Sequence, residues 1–388
     1  MLAGREANRF AGREGRDALE SGSFWGALAE QRGCPHAILA VDGPSHTAQR
    51  KHYGDVLSRR AVDRYREGCD ALVRDSFAAG MATIPIQDQT RLLVARLVHH
   101  CLTGAAPIAE PTARAMLEVF RWETNTLLLG KWPRLALRMP SYRRSLALAD
   151  AFLDGLAAHE ALEPSVSGWF ERVHAGREAH PELFEPGDVR FALLLPFVAG
   201  VDTVGATLGF VLDELHRDPD LHARVADEVE QLYADGVPDS AALGATTALR
   251  GLVLECLRVY PAAFAMYRGA ARAFEFEGHA VAAGTSVLVF TSATHFDPRY
   301  YPEPERIDVE RHAPPRLESR QKHVFMPYGA GPHVCLGAGM GEAMLLLATA
   351  AIVRRHRLRL PAGSPRRGPV FDPSLALDPR ARLERLPS

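Results

Sequence analysis

The 388-residue chain reads as a mainly α-helical protein with small β-sheets. Three observations lead there. Apolar residues recur at spacings of three and four through several long stretches, strand-like alternation is rare, and no linker-like tract divides the chain. The spacing predicts helices over 60–77, 86–102, 112–128 and 142–162, and another through 191–215 that Asp218-Pro219 brings to a stop. The alternating run Phe274-Glu275-Phe276-Glu277, then Gly278, Gly284 and the apolar run 286–291, predict a small hairpin sheet. Pro and Gly cluster in 298–315 and 361–373, which read as ordered irregular loops. Residues 1–388 are therefore expected to form a single large unit.

Composition narrows the function classes. With 45 Lys+Arg against 47 Asp+Glu, the net charge of -2 lacks the basic excess of a dedicated nucleic-acid binder. The longest apolar stretches, 192–201 and 343–353, fall short of the roughly 18 residues of a membrane span, so no span is expected. Arg5 and Glu6 interrupt the opening before any secretory apolar segment, which points to a cytoplasmic protein. Five cysteines without a CxxC pair argue against a disulfide framework or a structural zinc site. Any cysteine with a chemical role works alone.

Cys335 stands at the junction of a Gly/Pro-rich loop, Phe325-Met-Pro-Tyr-Gly-Ala-Gly-Pro-His-Val, and a helical run that begins Leu336-Gly337-Ala-Gly-Met. A thiolate there gains from the positive end of the helix and from unpaired backbone N–H groups. Gly329, Gly331 and Gly337 let the backbone turn tightly and let a flat ligand approach without meeting a Cβ. Alone, such a cysteine is more often an inert core residue. Tyr328-Gly-x-Gly-x-His-x-Cys335-x-Gly337, however, resembles the haem-binding loop of the cytochrome P450 superfamily, with Tyr328 where the family usually has Phe.

That resemblance implies the cytochrome P450 fold, a single α-rich domain around a buried haem b (iron protoporphyrin IX) with Cys335 as axial thiolate ligand. Three further segments follow in the expected order. Glu255-Cys-Leu-Arg258 places a carboxylate and a guanidinium on one helix face, a weak signal by itself. It resembles the ExxR motif of the family, whose third partner is matched by Arg306 in Pro304-Glu305-Arg306-Ile307, implying a structural triad of Glu255, Arg258 and Arg306. Ala199-Gly200-Val201-Asp202-Thr203 sits in an apolar helical run near Pro196, and on its own reads equally well as a solvated polar stripe. It resembles the oxygen-binding segment, which implies that Ala199 lies against the cofactor and that Asp202 and Thr203 relay protons during dioxygen reduction. His46 and Arg50, four apart on one helix face, match propionate-binding positions, as do Arg268 and His333.

The implied activity is that of a haem-thiolate monooxygenase. It would insert one oxygen atom into an apolar small molecule by hydroxylation or epoxidation, drawing electrons from a ferredoxin or flavodoxin-type donor. Lys51, Arg59 and Arg60 are candidate docking cations, and Leu195, Val198, Phe264 and Met266 candidate pocket residues, with Phe24, Trp25 and Leu39 nearby. The alternatives are a peroxide-driven peroxygenase or fatty-acid hydroxylase, a haem-thiolate isomerase, and a catalytically silent haem-binding protein. His46 falls about 40 to 50 residues earlier than the family pattern leads one to expect, as though a first helix and first strand were missing.

Overall fold

In the computed structural model the described residues are 1–54, 56–77, 83–162, 168–364 and 381–385. Among them are fourteen α-helices: α1 (Arg5–Gly12), α2 (Gly22–Arg32), α3 (Gly43–Tyr53), α4 (Arg59–Arg64), α5 (Arg66–Ser76), α6 (Ile86–Thr103), α7 (Glu110–Glu123), α8 (Pro140–Leu162), α9 (Trp169–Ala179), α10 (Pro186–Arg217), α11 (Pro219–Leu232), α12 (Ser240–Gly244), α13 (Ala248–Val259) and α14 (Ala338–Arg355). Nine short strands accompany them: β1 (Leu2–Ala3), β2 (Leu19–Glu20), β3 (Thr83–Pro85), β4 (Met266–Ala270), β5 (Phe274–Phe276), β6 (His279–Val281), β7 (Ser286–Phe290), β8 (Leu358–Arg359) and β9 (Arg382–Arg385). The mainly helical fold class is borne out. Most of the expected loop 361–373 lies outside the described residues.

The 32-residue α10 is the axis of the fold, about 48 Å long at 1.5 Å per residue. A reciprocal capping box between Glu185 and Asp188, with Pro186 in the first turn, starts it. Asp218 ends it and then caps α11, accepting the N–H groups of Asp220 and Leu221. Apolar residues occupy every face of α10, which is the pattern of a helix buried all round. It packs against α6, α7, α9, α13 and α14. By length and composition α10 and the stretch Gly331–Arg355 would suffice to cross a membrane, but 72% and 67% of those apolar windows are buried inside the protein.

Two sequence expectations need correction. The run 60–77 is two helices, because Tyr65 leaves the helical region (φ -115°, ψ 18°). The break lets both α4 and α5 lie along α14. The hairpin is also smaller than expected: Glu277 (φ 50°) and Gly278 (φ 80°) form a two-residue turn that joins β5 to β6 alone. Ser286–Phe290 instead pairs with β4 and β1, in a four-stranded sheet of order β1-β7-β4-β2. Alternation shows that a segment is a strand but not which strand it pairs with. The β1–α1 opening is a strand followed by a helix, and Asn8 of α1, fully buried, donates to the carbonyls of Thr291 and His323 ahead of the cysteine loop.

Candidate functional site

The cysteine loop turns on Gly329 (φ 76°) and Gly331 (φ 73°), both in the left-handed region that glycine tolerates. A Cβ on Gly331 would also meet the Ala11 carbonyl oxygen of α1 at 2.8 Å, so the loop and α1 touch backbone to backbone. The Cys335 N–H donates to the Tyr328 carbonyl at 2.9 Å, closing the loop. Of the five free cysteines only Cys335 is exposed; the other four are buried in the protein. Burial of the loop raises the Cys335 pKa, while the Gly337 N–H and the Arg50 guanidinium oppose that rise. The helix-start N–H therefore favours the thiolate as expected, but desolvation outweighs it.

Beside the cysteine loop the fold gathers cationic and donor groups from three parts of the sequence. Arg50 of α3 donates to the Val334 carbonyl at 2.8 Å. His46, one turn earlier on α3, lies with its ring 4.0 Å from that of His333. His333 in turn bonds Asp42 at 2.8 Å. Burial, with the nearby His333 and Arg50, pushes the His46 pKa down to about 4, so the ring is neutral at pH 7. Burial works against the Asp42 carboxylate, but His333 and the Ser21 N–H more than offset it and hold its pKa below the ordinary value. Arg268 of β4 turns to the Tyr267 carbonyl and to the Met266 sulfur, and Asp42 is the charge that acts on it.

These residues fit a haem. One exposed thiol supplies a soft ligand at the start of a helix. Arg50, Arg268, His46 and His333 form a compact set of donors suited to two propionates. A Cβ on Gly337 would meet nothing within 4 Å, which leaves room for a flat ring beside the thiol.

On α10 the Thr203 hydroxyl donates to the Ala199 carbonyl at 2.8 Å, and Ala199 itself is exposed within an otherwise buried stretch. Helix α10 runs through Pro196 and Gly200 without interruption, and Thr203 bonds back onto its own helix. Asp202 is held by Arg91 of α6 at 2.6 Å. Arg91 gives no signal in the sequence beyond a charge within an apolar helix. The acid and threonine precede Val204, which packs on the helix that follows Cys335: a Cβ on Gly341 of α14 would come within 3.3 Å of Val204.

Glu255 and Arg258 form a fully buried bidentate pair, at 2.7 and 2.8 Å. Burial would raise the Glu255 pKa, but Arg258 and His312 pull it down to about 2. Arg306 does not complete a triad. Its guanidinium is exposed and pairs with Glu303, and only its carbonyl accepts from Arg258. The buried partners are instead His312, at 2.9 Å, and Arg311, at 3.4 Å from Glu255. The Pro304–Arg306 stretch enters through its backbone, and the side chains that matter come five and six residues later. Arg258 also donates to the carbonyls of His295, Pro304 and Arg306. His295 carries the link onward, with Nδ1 against the Arg258 carbonyl and Nε2 accepting the Met326 N–H at 2.8 Å.

The candidate pocket residues separate. Leu195 and Val198 are buried in the main core, and the Phe264 ring packs edge-on against Phe290. The Met266 sulfur accepts the Ala330 N–H at 3.4 Å and lies against Gly329, so this side chain braces the loop rather than standing free in a pocket. The candidate docking cations separate too. Arg59 reaches Glu342 of α14, Arg60 is exposed, and Lys51 lines a charged cleft of about 830 Å³ with Thr47, His52, Arg172, His180 and Asp42.

Comparison with known proteins is consistent with this geometry. The family model described as Cytochrome P450 matches residues 171–381. The chain is 33% identical over 186 residues to a cyclooctat-9-en-7-ol 5-monooxygenase of Streptomyces melanosporofaciens, an alignment spanning 47% of this chain and 40% of that protein. It is 26% identical over 376 residues to a Mycobacterium tuberculosis protein bearing the name cytochrome P450 139, spanning 93% and 86% of the two chains. Among solved structures, the retinoic acid-bound cyanobacterial CYP120A1 superposes with a TM-score of 0.82 at 20% identity, over 98% of this chain and 87% of that one.

Proposed function

Because this chain belongs to the cytochrome P450 family, we propose that it is a soluble cytoplasmic monooxygenase that transfers one oxygen atom from dioxygen to an apolar small molecule. Cys335 would hold the haem through its thiolate, and the haem would supply the oxidising chemistry, to which thiolate electron donation contributes. The observation that carries the reading is the single exposed cysteine, backed by the Gly337 N–H and the Arg50 guanidinium, with His46, His333 and Arg268 grouped beside Arg50. Arg50 and Arg268 are suited to bind carboxylates, with His46 and His333 as additional donors. Thr203 holds a proton on Oγ1, parked against the Ala199 carbonyl, and rotation about χ1 would turn it toward a bound ligand. Arg91 fixes one oxygen of Asp202, leaving the other to exchange protons with water. Ala199 and the apolar residues about it suit a hydrocarbon-rich substrate, as do the names of the two relatives that mention a ligand. Electrons would come singly from a ferredoxin or flavodoxin-type protein that docks on basic residues such as Arg59 and Arg60.

Two measurements test this. Reduced, haem-replete protein exposed to carbon monoxide is expected to give the red-shifted Soret band of thiolate ligation; a protein that lacks it overturns the site. With a surrogate ferredoxin system, labelled dioxygen is expected to leave one labelled atom in product. Electron consumption without label incorporation from any apolar substrate that shifts the haem spin state would instead mark a silent binder.

A further inference from the structure

The left-handed turn of the cysteine loop, Gly329 to Gly331, is gripped from two sides. On one side is α1: a Cβ on Gly331 would stand 2.8 Å from the Ala11 carbonyl oxygen, and one on Gly12 would stand 3.8 Å from the Ala330 Cβ. On the other side is Met266 of β4. Its sulfur accepts the Ala330 N–H at 3.4 Å, and a Cβ on Gly329 would lie 3.4 Å from that sulfur and 3.8 Å from the Met266 Cγ. Ala330 is buried, and no carbonyl among the described residues takes its N–H. Arg268 Nη2 approaches the same sulfur at 3.9 Å, at the limit of such a contact, so the loop amide is the sulfur's principal donor. Strand β4 lies inside its sheet, paired with β7 at Met266 and with β2 at Gly269 and Ala270. The thioether therefore extends from a fixed backbone.

We propose that Met266 is a positioning residue: by accepting the Ala330 N–H, its sulfur sets the turn that carries Cys335 and so how firmly the loop holds the cofactor. The route is short. The Tyr328 carbonyl that accepts the Cys335 N–H shares a planar peptide unit with the Gly329 nitrogen, so a shift of Gly329 and Ala330 reaches the cysteine through one rigid unit and one hydrogen bond. Bulk at position 266 fills the space, but only an acceptor satisfies the buried amide. The inference rests on Cys335 as the haem ligand and not on monooxygenase turnover, and it adds the side chain that fixes the loop from the sheet side.

The test separates the acceptor from the bulk. Met266→Leu keeps an apolar side chain of similar volume but leaves the Ala330 N–H without an acceptor, whereas Met266→Gln returns an acceptor oxygen at similar reach. Amide hydrogen exchange at Ala330, measured on the purified full-length protein, is expected to quicken about two- to tenfold in Met266→Leu, the factor that one hydrogen bond of ordinary net strength corresponds to. Met266→Gln is expected to return it toward the parent rate. Transfer of haem from each loaded protein to apomyoglobin is expected to follow the same order, with Met266→Leu fastest. Parent-like rates in Met266→Leu overturn the proposal, as do Met266→Gln rates no slower than those of Met266→Leu, or faster exchange with unchanged haem transfer. A parent protein without the carbon monoxide band of thiolate ligation would overturn the reading of Cys335 instead, while exchange at Ala330 would still report whether the sulfur holds the turn.

Discussion

The Thr203 hydroxyl, bonded back onto the Ala199 carbonyl, is a donor whose partner belongs to its own helix. Removing it leaves the packing of α10 almost untouched while deleting a proton source. Thr203→Ala is therefore expected to lower the product formed per electron pair by about tenfold or more, with stability changed by about 0.5 kcal/mol or less. Parallel assays of reductant consumption and product check this, and normal coupling would take Thr203 out of the mechanism. His295 makes the opposite point. Its Nε2 accepts the Met326 N–H while Nδ1 meets the Arg258 carbonyl, so the ring is neutral and fixed in one tautomer. Nothing in the sequence marks it, because its role depends on two backbone groups brought from 31 and 37 residues away.

At the scale of elements, the buried Glu255–Arg258 pair ties α13 to the segment that precedes the cysteine loop. Breaking it leaves an uncompensated buried charge, so Glu255→Gln is expected to cost about 3–5 kcal/mol in denaturant unfolding. Arg306→Ala, which removes only a surface pair with Glu303, is expected to cost about 0.5 kcal/mol or less. Comparable losses from both substitutions would restore Arg306 to the cluster. The spacing of Glu255 and Arg258 was legible because residues three apart on a helix share a face. Arg311 and His312 were not, because they reach Glu255 from the four-residue 3-10 helix Val309–His312, which is too short to show a period. The same contrast separates the cysteine loop, where glycines and the thiol sit in contiguous sequence, from Arg91 and Asp202, which meet only through the packing of α6 on α10. Helix positions follow from local periodicity, whereas strand partners and ion pairs across elements follow from tertiary packing.

For the molecule as a whole, buried histidines set the acid response. Burial pushes the pKa of His295 down to about 3 and those of His216 and His356 down to about 4. Each is neutral in the folded protein but titrates near 6.5 when unfolded, so the unfolded chain binds more protons at mild acidity. The stability they contribute is present above about pH 6.5 and falls as pH drops toward 4, by at most about 1.4 kcal/mol per pH unit for each ring. Glu255, with its pKa held near 2, adds a further loss only below the ordinary carboxylate range. Urea midpoints measured from pH 7.5 to 5 are expected to fall steadily, and a flat profile above pH 5 would contradict this account. One small contact spans the whole arrangement. Gly341 of α14 and Val204 of α10 bring together the helix that follows the thiolate and the helix that carries the acid and threonine, and a Cβ at Gly341 would stand 3.3 Å from Val204, a contact tight enough that the valine must give way slightly. The clearance between the two halves of the chemistry is thus gauged by a hydrogen atom, and side-chain growth at position 341 would press the electron-donating and proton-handling sides apart.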